Sequence, residues 1–156
     1  MKIELWAIGK TNEKYLEEGM AIFEKRLRNY LPFGSLLLPD VKAKSPDSQW
    51  LVKEEGKMIL SKLNPDDYLV LLDERGQQFT SVELSNWLEK RLGQSRRRLI
   101  FLIGGAFGFS PEIYERANES LALSKLTFSH QMVRLFFLEQ LYRAMTILRN
   151  EPYHNA

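Results

Sequence analysis

The feature that most limits what this chain can become is its alternation of short, unbroken apolar runs with longer amphipathic stretches. Residues 68–72 (Tyr-Leu-Val-Leu-Leu) and 99–103 (Leu-Ile-Phe-Leu-Ile) carry no polar interruption. A strand of that kind must be covered on both faces, as in a parallel sheet, because a half-exposed strand would alternate. Between such runs, Leu16, Met20, Phe23, Leu27 and Tyr30 recur at a helical period within residues 12–31. The pattern predicts an α/β protein with a mostly parallel sheet and helices on both faces.

The remaining elements follow from local signals. Residues 3–8 read as the first strand, and residues 35–38 as a short second one stopped by Pro39. Residues 40–48 are polar and contain Pro46, which predicts a loop. A helix from about 49 to 63 would bury Leu51, Val52, Ile59 and Leu63 before Asn64-Pro65-Asp66-Asp67 ends it. Thr80-Ser81-Val82-Glu83 is a capping box, opening a helix that turns Leu84, Trp87, Leu88 and Leu92 inward. Ser110-Pro111-Glu112 supplies an N-cap, a proline at the first helical position and an early acid.

Residues 121–128 read as a last strand or an extended loop. A final helix over 131–149 would bury Val133, Phe137, Leu141, Ala144 and Leu148. It also carries Met132, Phe136 and Leu138, more apolar surface than one face can hide internally. That surplus predicts a two-fold homodimer. No repeat, low-complexity tract or linker divides the chain, so residues 1–156 read as one domain.

Composition narrows the functional classes. With no cysteine there is no disulfide framework, cysteine-zinc site or thiol nucleophile, and no metal is expected. The opening residues put Glu4 inside their apolar run, unlike a signal peptide. No stretch reaches the ~20 apolar residues of a membrane span. A cytoplasmic location is the expectation. The 22 basic residues nearly balance the 20 acidic ones, for a net charge of +2. A protein that grips free nucleic acid through phosphates usually carries a larger basic excess.

Three segments fall where α/β sheets place their sites, at the carboxyl ends of strands. Leu71-Leu72-Asp73-Glu74-Arg75-Gly76 is either a turn with solvated charges or part of a site. Gly104-Gly105-Ala106-Phe107-Gly108-Phe109 lies between a strand and a capped helix, where paired glycines allow close approach of a ligand to the backbone. Its Gly-Gly-x-x-Gly order is not the dinucleotide fingerprint, and no phosphate-loop lysine accompanies it. The third segment, Leu123-Ser124-Lys125-Leu126-Thr127-Phe128-Ser129-His130, precedes Arg134 and Arg143 on one helix. His130 and Arg134 share a helical face and are expected to point at one site. The other histidine, His154, follows Tyr153 close to the terminus, where chain ends ordinarily fray.

Taken together, the glycine loop, residues 123–130, Arg134, Glu139-Gln140-Leu141-Tyr142-Arg143-Ala144 and Pro152-Tyr153-His154 resemble the RlmH family. Its members are ribosomal large-subunit pseudouridine N3-methyltransferases of the SPOUT superfamily. The resemblance runs end to end, including Ala7-Ile8-Gly9-Lys10 and Leu72-Asp73. It implies a C-terminal trefoil knot, which no pattern in the residues would suggest, because un-knotted connections are the rule.

The resemblance also implies S-adenosylmethionine as cofactor, held against Leu72, Gly104, Leu123, Ser124, Lys125, Leu126, Thr127 and Phe128. The implied reaction transfers the sulfonium methyl to N3 of pseudouridine 1915 in 23S rRNA of the assembled ribosome. The catalytic set it suggests is His130, Arg134, Arg143, Tyr153 and His154, with the tail of a dimer partner helping to close the site. The N3 proton would go to His130, to His154 or to solvent, imidazole being the side chain whose ordinary pKa lies near neutrality. Arg134 and Arg143 would stabilise the imide anion or hold phosphate. A non-catalytic nucleotide- or RNA-binding α/β module and a Rossmann-like oxidoreductase are the rival readings.

Overall fold

The computed structural model describes residues 1–42 and 47–155. Its strands are β1 (Lys2–Ile8), β2 (Phe33–Leu38), β3 (Tyr68–Gln78), β4 (Arg98–Ile103) and β5 (Glu119–Ala122). The helices are α1 (Lys14–Leu27), α2 (Ser48–Lys62), α3 (Ser81–Leu92), α4 (Pro111–Arg116) and α5 (Met132–Leu148). All pairings are parallel, in the order β2-β1-β4-β3-β5. The part of the expected 40–48 loop at 43–46 lies outside the described residues.

Alternation along the strands builds two apolar layers, as a sheet covered on both faces requires. Ile3, Leu5, Val70, Leu99 and Phe101 face α1, α3 and α5, while Trp6, Leu69, Leu71, Ile100 and Leu102 face α2 and α4. The capping box forms: the Glu83 amide donates to Thr80 Oγ1 at 3.1 Å and the Thr80 amide to Glu83 Oε1 at 2.8 Å. Ser110 caps α4 through the Ile113 amide.

Two local expectations need correction. The strand expected at 68–72 continues through the supposed turn to Gln78, with a register shift after Leu72: Leu121 pairs with both Leu72 and Gln77. Residues 73–76 therefore form a bulge rather than the end of the strand. Gly76 permits it, because a Cβ there would lie 2.6 Å from the Leu121 nitrogen. The second correction concerns α5, which sits between α1 and α3 and is covered over a wide arc. Leu138, expected at the surface, is fully buried; Met132 and Phe136 remain exposed.

Candidate methyl-donor cleft

The carboxyl ends of β3, β4 and β5 open into a cleft of about 500 Å³. Such ends collect loops because parallel strands must all be left on the same side. From β3 come Leu72 and the bulge residues Asp73, Glu74 and Arg75. From β4 come Ile103 and the glycine loop, and from β5 the segment beginning at Leu121. Leu72, Gly104, Leu123, Ser124, Leu126, Thr127, Phe128 and His130 line this one cleft. Lys125, in the same loop, is exposed but does not line it.

The glycine loop is a tight turn. Gly105 and Gly108 form an antiparallel bridge, the Gly108 amide donates to the Gly105 carbonyl at 3.2 Å, and Gly108 has φ +80°. A Cβ on Gly104 would press on the Phe109 ring at 3.1 Å and the Gly108 carbonyl at 3.3 Å. Glycine here keeps the backbone open to the cleft.

The bulge is locked to α4 by side chains. The Tyr114 hydroxyl donates to Asp73 Oδ2, the Arg75 amide donates to Asp73 Oδ1 at 2.9 Å, and Arg75 Nη2 donates to the Tyr114 hydroxyl at 2.6 Å. Burial raises the Asp73 carboxyl, but these donors outweigh it and hold the group below the usual carboxylate range. Thr127 Oγ1 donates to Glu74 at 3.1 Å, tying the bulge to the loop after β5. Tyr114 was missed at the sequence level. No local signal marks it, since its partner is 41 residues away.

His130 reaches the cleft; Arg134 turns inward. Its Nη1 donates to the Gly9 carbonyl at 2.9 Å and to Thr11 Oγ1 at 3.2 Å, and its Nη2 to the Ile8 carbonyl at 2.8 Å. Its Nε meets the His130 carbonyl at 3.3 Å. Burial pulls its pKa down against the pull of Asp40, and the guanidinium is spent on backbone.

Arg143, Tyr153 and His154 form a separate cluster outside the cleft lining. Arg143 Nη2 donates to Glu139 Oε1 at 2.6 Å, Tyr153 Oη donates to the same oxygen at 2.9 Å, and Arg143 Nη1 lies 3.1 Å from His154 Nδ1. The tail is folded back rather than frayed: Asn150 takes φ 55°, the Glu151 amide reaches the Thr146 carbonyl, and Tyr153 packs edge-on against Tyr142. Glu139, within the Glu139–Ala144 motif, is the acceptor that organises this cluster.

With that geometry in hand, the comparisons with known proteins give the class. The family model described as "Predicted SPOUT methyltransferase" matches residues 1–154. The chain belongs to the SPOUT methyltransferase family. Among curated relatives, a protein named Ribosomal RNA large subunit methyltransferase H from Cytophaga hutchinsonii is 54% identical over 155 residues, spanning 99% of this chain and 100% of that one. One of the same name from Parabacteroides distasonis is 51% identical over 156 residues, spanning 99% of each. Among the described residues no helix is long and apolar enough to cross a membrane, and no cluster of three metal-ligating side chains occurs.

Proposed function

We propose that the chain methylates large-subunit ribosomal RNA with S-adenosylmethionine, at N3 of pseudouridine 1915 in the assembled ribosome, as a cytoplasmic homodimer. The observation that carries this reading is the cleft itself, in which Gly104 and the 123–128 loop converge on the carboxyl ends of β3 and β4. The fit to the cofactor is chemical. Leu72, Ile103, Leu121 and Leu123 give apolar walls for an adenine, while Gly104 and the backbone of 123–128 leave amides and carbonyls for its edge. Bound there, S-adenosylmethionine supplies an electrophilic methyl group.

The chain's own residues must align the acceptor nitrogen, and a side chain or solvent must take its proton, because a protonated imide N3 is a poor nucleophile. His130 stands at the cleft wall, exposed and within the loop that would hold the donor. Arg134 works behind it, holding the end of β1 and the His130 carbonyl. Arg143, Tyr153 and His154 are held together by Glu139 but stand apart from their own cleft. That separation favours a dimer in which each tail cluster completes the partner's site.

Methyl transfer from labelled S-adenosylmethionine tests the reading. Purified ribosomes should be methylated far faster than protein-free 23S rRNA, since a chain of net charge +2 has little with which to hold naked RNA. No transfer to ribosomes would overturn it, and so would binding of NADH instead of S-adenosylhomocysteine in calorimetry. A mixed dimer probes the tail. One subunit lacks residues 153–156 and the other carries Gly104→Val. Activity should return to about one working site from two inactive parents.

A further inference from the structure

The mouth of the cleft carries three exposed side chains, of which only Leu126 belongs to the segment expected to hold the cofactor. Phe107 and Leu126 are 60% and 73% exposed, on separate loops, yet both border the same cleft. Neither is loose. Phe107 sits at the tip of the turn closed by the Gly105–Gly108 bridge, and the Leu126 amide donates to Ser124 Oγ at 2.9 Å. Beside them stands Arg75, its side chain 76% exposed. Tyr114 anchors it through Nη2, its Nε pairs with Asp73 Oδ1 at 3.7 Å, and its guanidinium carbon lies 5.3 Å from the Tyr114 ring centre. Nη1 has no hydrogen-bond partner among the described residues. The two neighbouring acids are engaged, Asp73 with Tyr114 and Arg75, Glu74 with Thr127.

We propose that this mouth seats the nucleotide flanking the target: its base stacks on Phe107, with Leu126 against the exposed edge, and Arg75 takes its phosphate. The proposal rests on the RNA-methyltransferase reading and names the surface that grips the substrate. A base must leave its stack to reach a methyl donor inside a cleft, so its neighbour loses a stacking partner. An exposed aromatic face replaces that partner without regard to sequence. A guanidinium already oriented by a tyrosine keeps free donors for a phosphate at small entropic cost. Such a seat also suits a chain of low net charge, because one placed cation and one ring do the work of a basic patch.

The test uses the full-length protein and purified ribosomes, comparing wild type with Phe107→Ala, Phe107→Tyr and Arg75→Gln. Phe107→Ala should raise KM for ribosomes about tenfold or more. Its S-adenosylhomocysteine affinity should stay within about twofold of wild type and its mass in sedimentation unchanged. Phe107→Tyr should restore most of the loss. Arg75→Gln should reduce the salt dependence of kcat/KM by about one phosphate contact. A wild-type KM in Phe107→Ala overturns the proposal. A parallel loss of S-adenosylhomocysteine affinity overturns it too, making Phe107 a wall of the donor site, as does a fall to monomer mass, making it a subunit contact. Wild-type protein inactive on ribosomes would bring down the RNA reading itself, whereas active wild type with an unaffected Phe107→Ala sinks this inference alone.

Discussion

At the amino end of the sheet charged side chains are paired among themselves, whereas at the carboxyl end glycines, a bulge and bare apolar groups surround an open cleft. Asp67, with no side-chain exposure, accepts from Arg98 Nε at 2.9 Å and Nη2 at 2.6 Å and from the Asn64 amide at 2.7 Å. Arg98 also lies 3.5 Å from Glu4, which accepts from Trp6. Glu119, where β5 begins, receives Tyr68, Trp87 and Arg91. The cleft end is held instead by Arg134 on the carbonyls that finish β1 and by the Asp73–Tyr114–Arg75 lock on the bulge, whose Arg75 side chain is largely exposed. The fully buried carboxylate of the Asp67–Arg98 ion pair is thus placed away from the cleft, as expected where a site must admit a ligand.

The largest test breaks the Arg134 staple. Arg134→Ala would leave the Ile8 and Gly9 carbonyls buried without a donor and open a void, costing about 3 kcal/mol or more. Melting temperature and methyl transfer should fall together. Retained stability with lost transfer would instead give Arg134 a direct part in the reaction.

Next comes the amino end. Asp67→Asn should cost about 2–3 kcal/mol by stripping Arg98 of its bidentate partner, with KM for ribosomes unchanged. Burial raises the Asp67 carboxyl, but Arg98 and the Asn64 amide more than offset this and hold it below 3.8. A depressed carboxyl contributes stability above its unfolded value that is lost as pH falls through the folded one. Wild type should therefore lose more melting temperature than Asp67→Asn as pH falls from about 5 towards 2.

At the cleft, Gly104→Val should weaken S-adenosylhomocysteine binding at least about tenfold while moving the melting temperature by only a few degrees. Calorimetry and thermal unfolding of one preparation would separate the two effects. A large loss of stability would mean that the added methyls cannot be absorbed by the Phe109 ring.

The smallest effect has the opposite sign. Glu55 is buried below the glycine loop, its carboxylate about 3 Å from where a Cβ of Gly105 would stand. Burial, then the charge of Asp40, raises its pKa. Ionising it therefore costs stability as pH rises through 4.5 towards the folded value, and the full cost persists above that. Glu55→Gln should raise the melting temperature by about one or two degrees at pH 8 and not at pH 4.

Much of this architecture was legible because local and global signals agree. The apolar runs became the buried strands, and the Thr80 box and Ser110 cap opened the helices they announced. Two misreadings share one cause. The charged segment at 73–76 reads as a turn or as part of a site but not as strand, because its partner, β5, lies far along the chain. Leu138 looked like surface because no helical period reveals that α5 has neighbours on both sides. The cleft residues were legible singly, through paired glycines and the 123–130 segment. Their convergence was not, nor was the Asp73–Tyr114–Arg75 lock.

By itself the sequence determined the kind of fold, the helix ends, the family and which segments could hold chemistry, because each is written in spacing, caps and motif. Only the tertiary structure decided that Arg134 is spent on the carbonyls of Ile8 and Gly9. It alone placed His130 at the cleft and the Glu139–Arg143–Tyr153–His154 cluster apart from it. The physical reason is that a guanidinium or imidazole has the same chemistry wherever it stands. What it binds depends on which unpaired donors and acceptors distant segments bring within about 3 Å, and no local pattern encodes that distance.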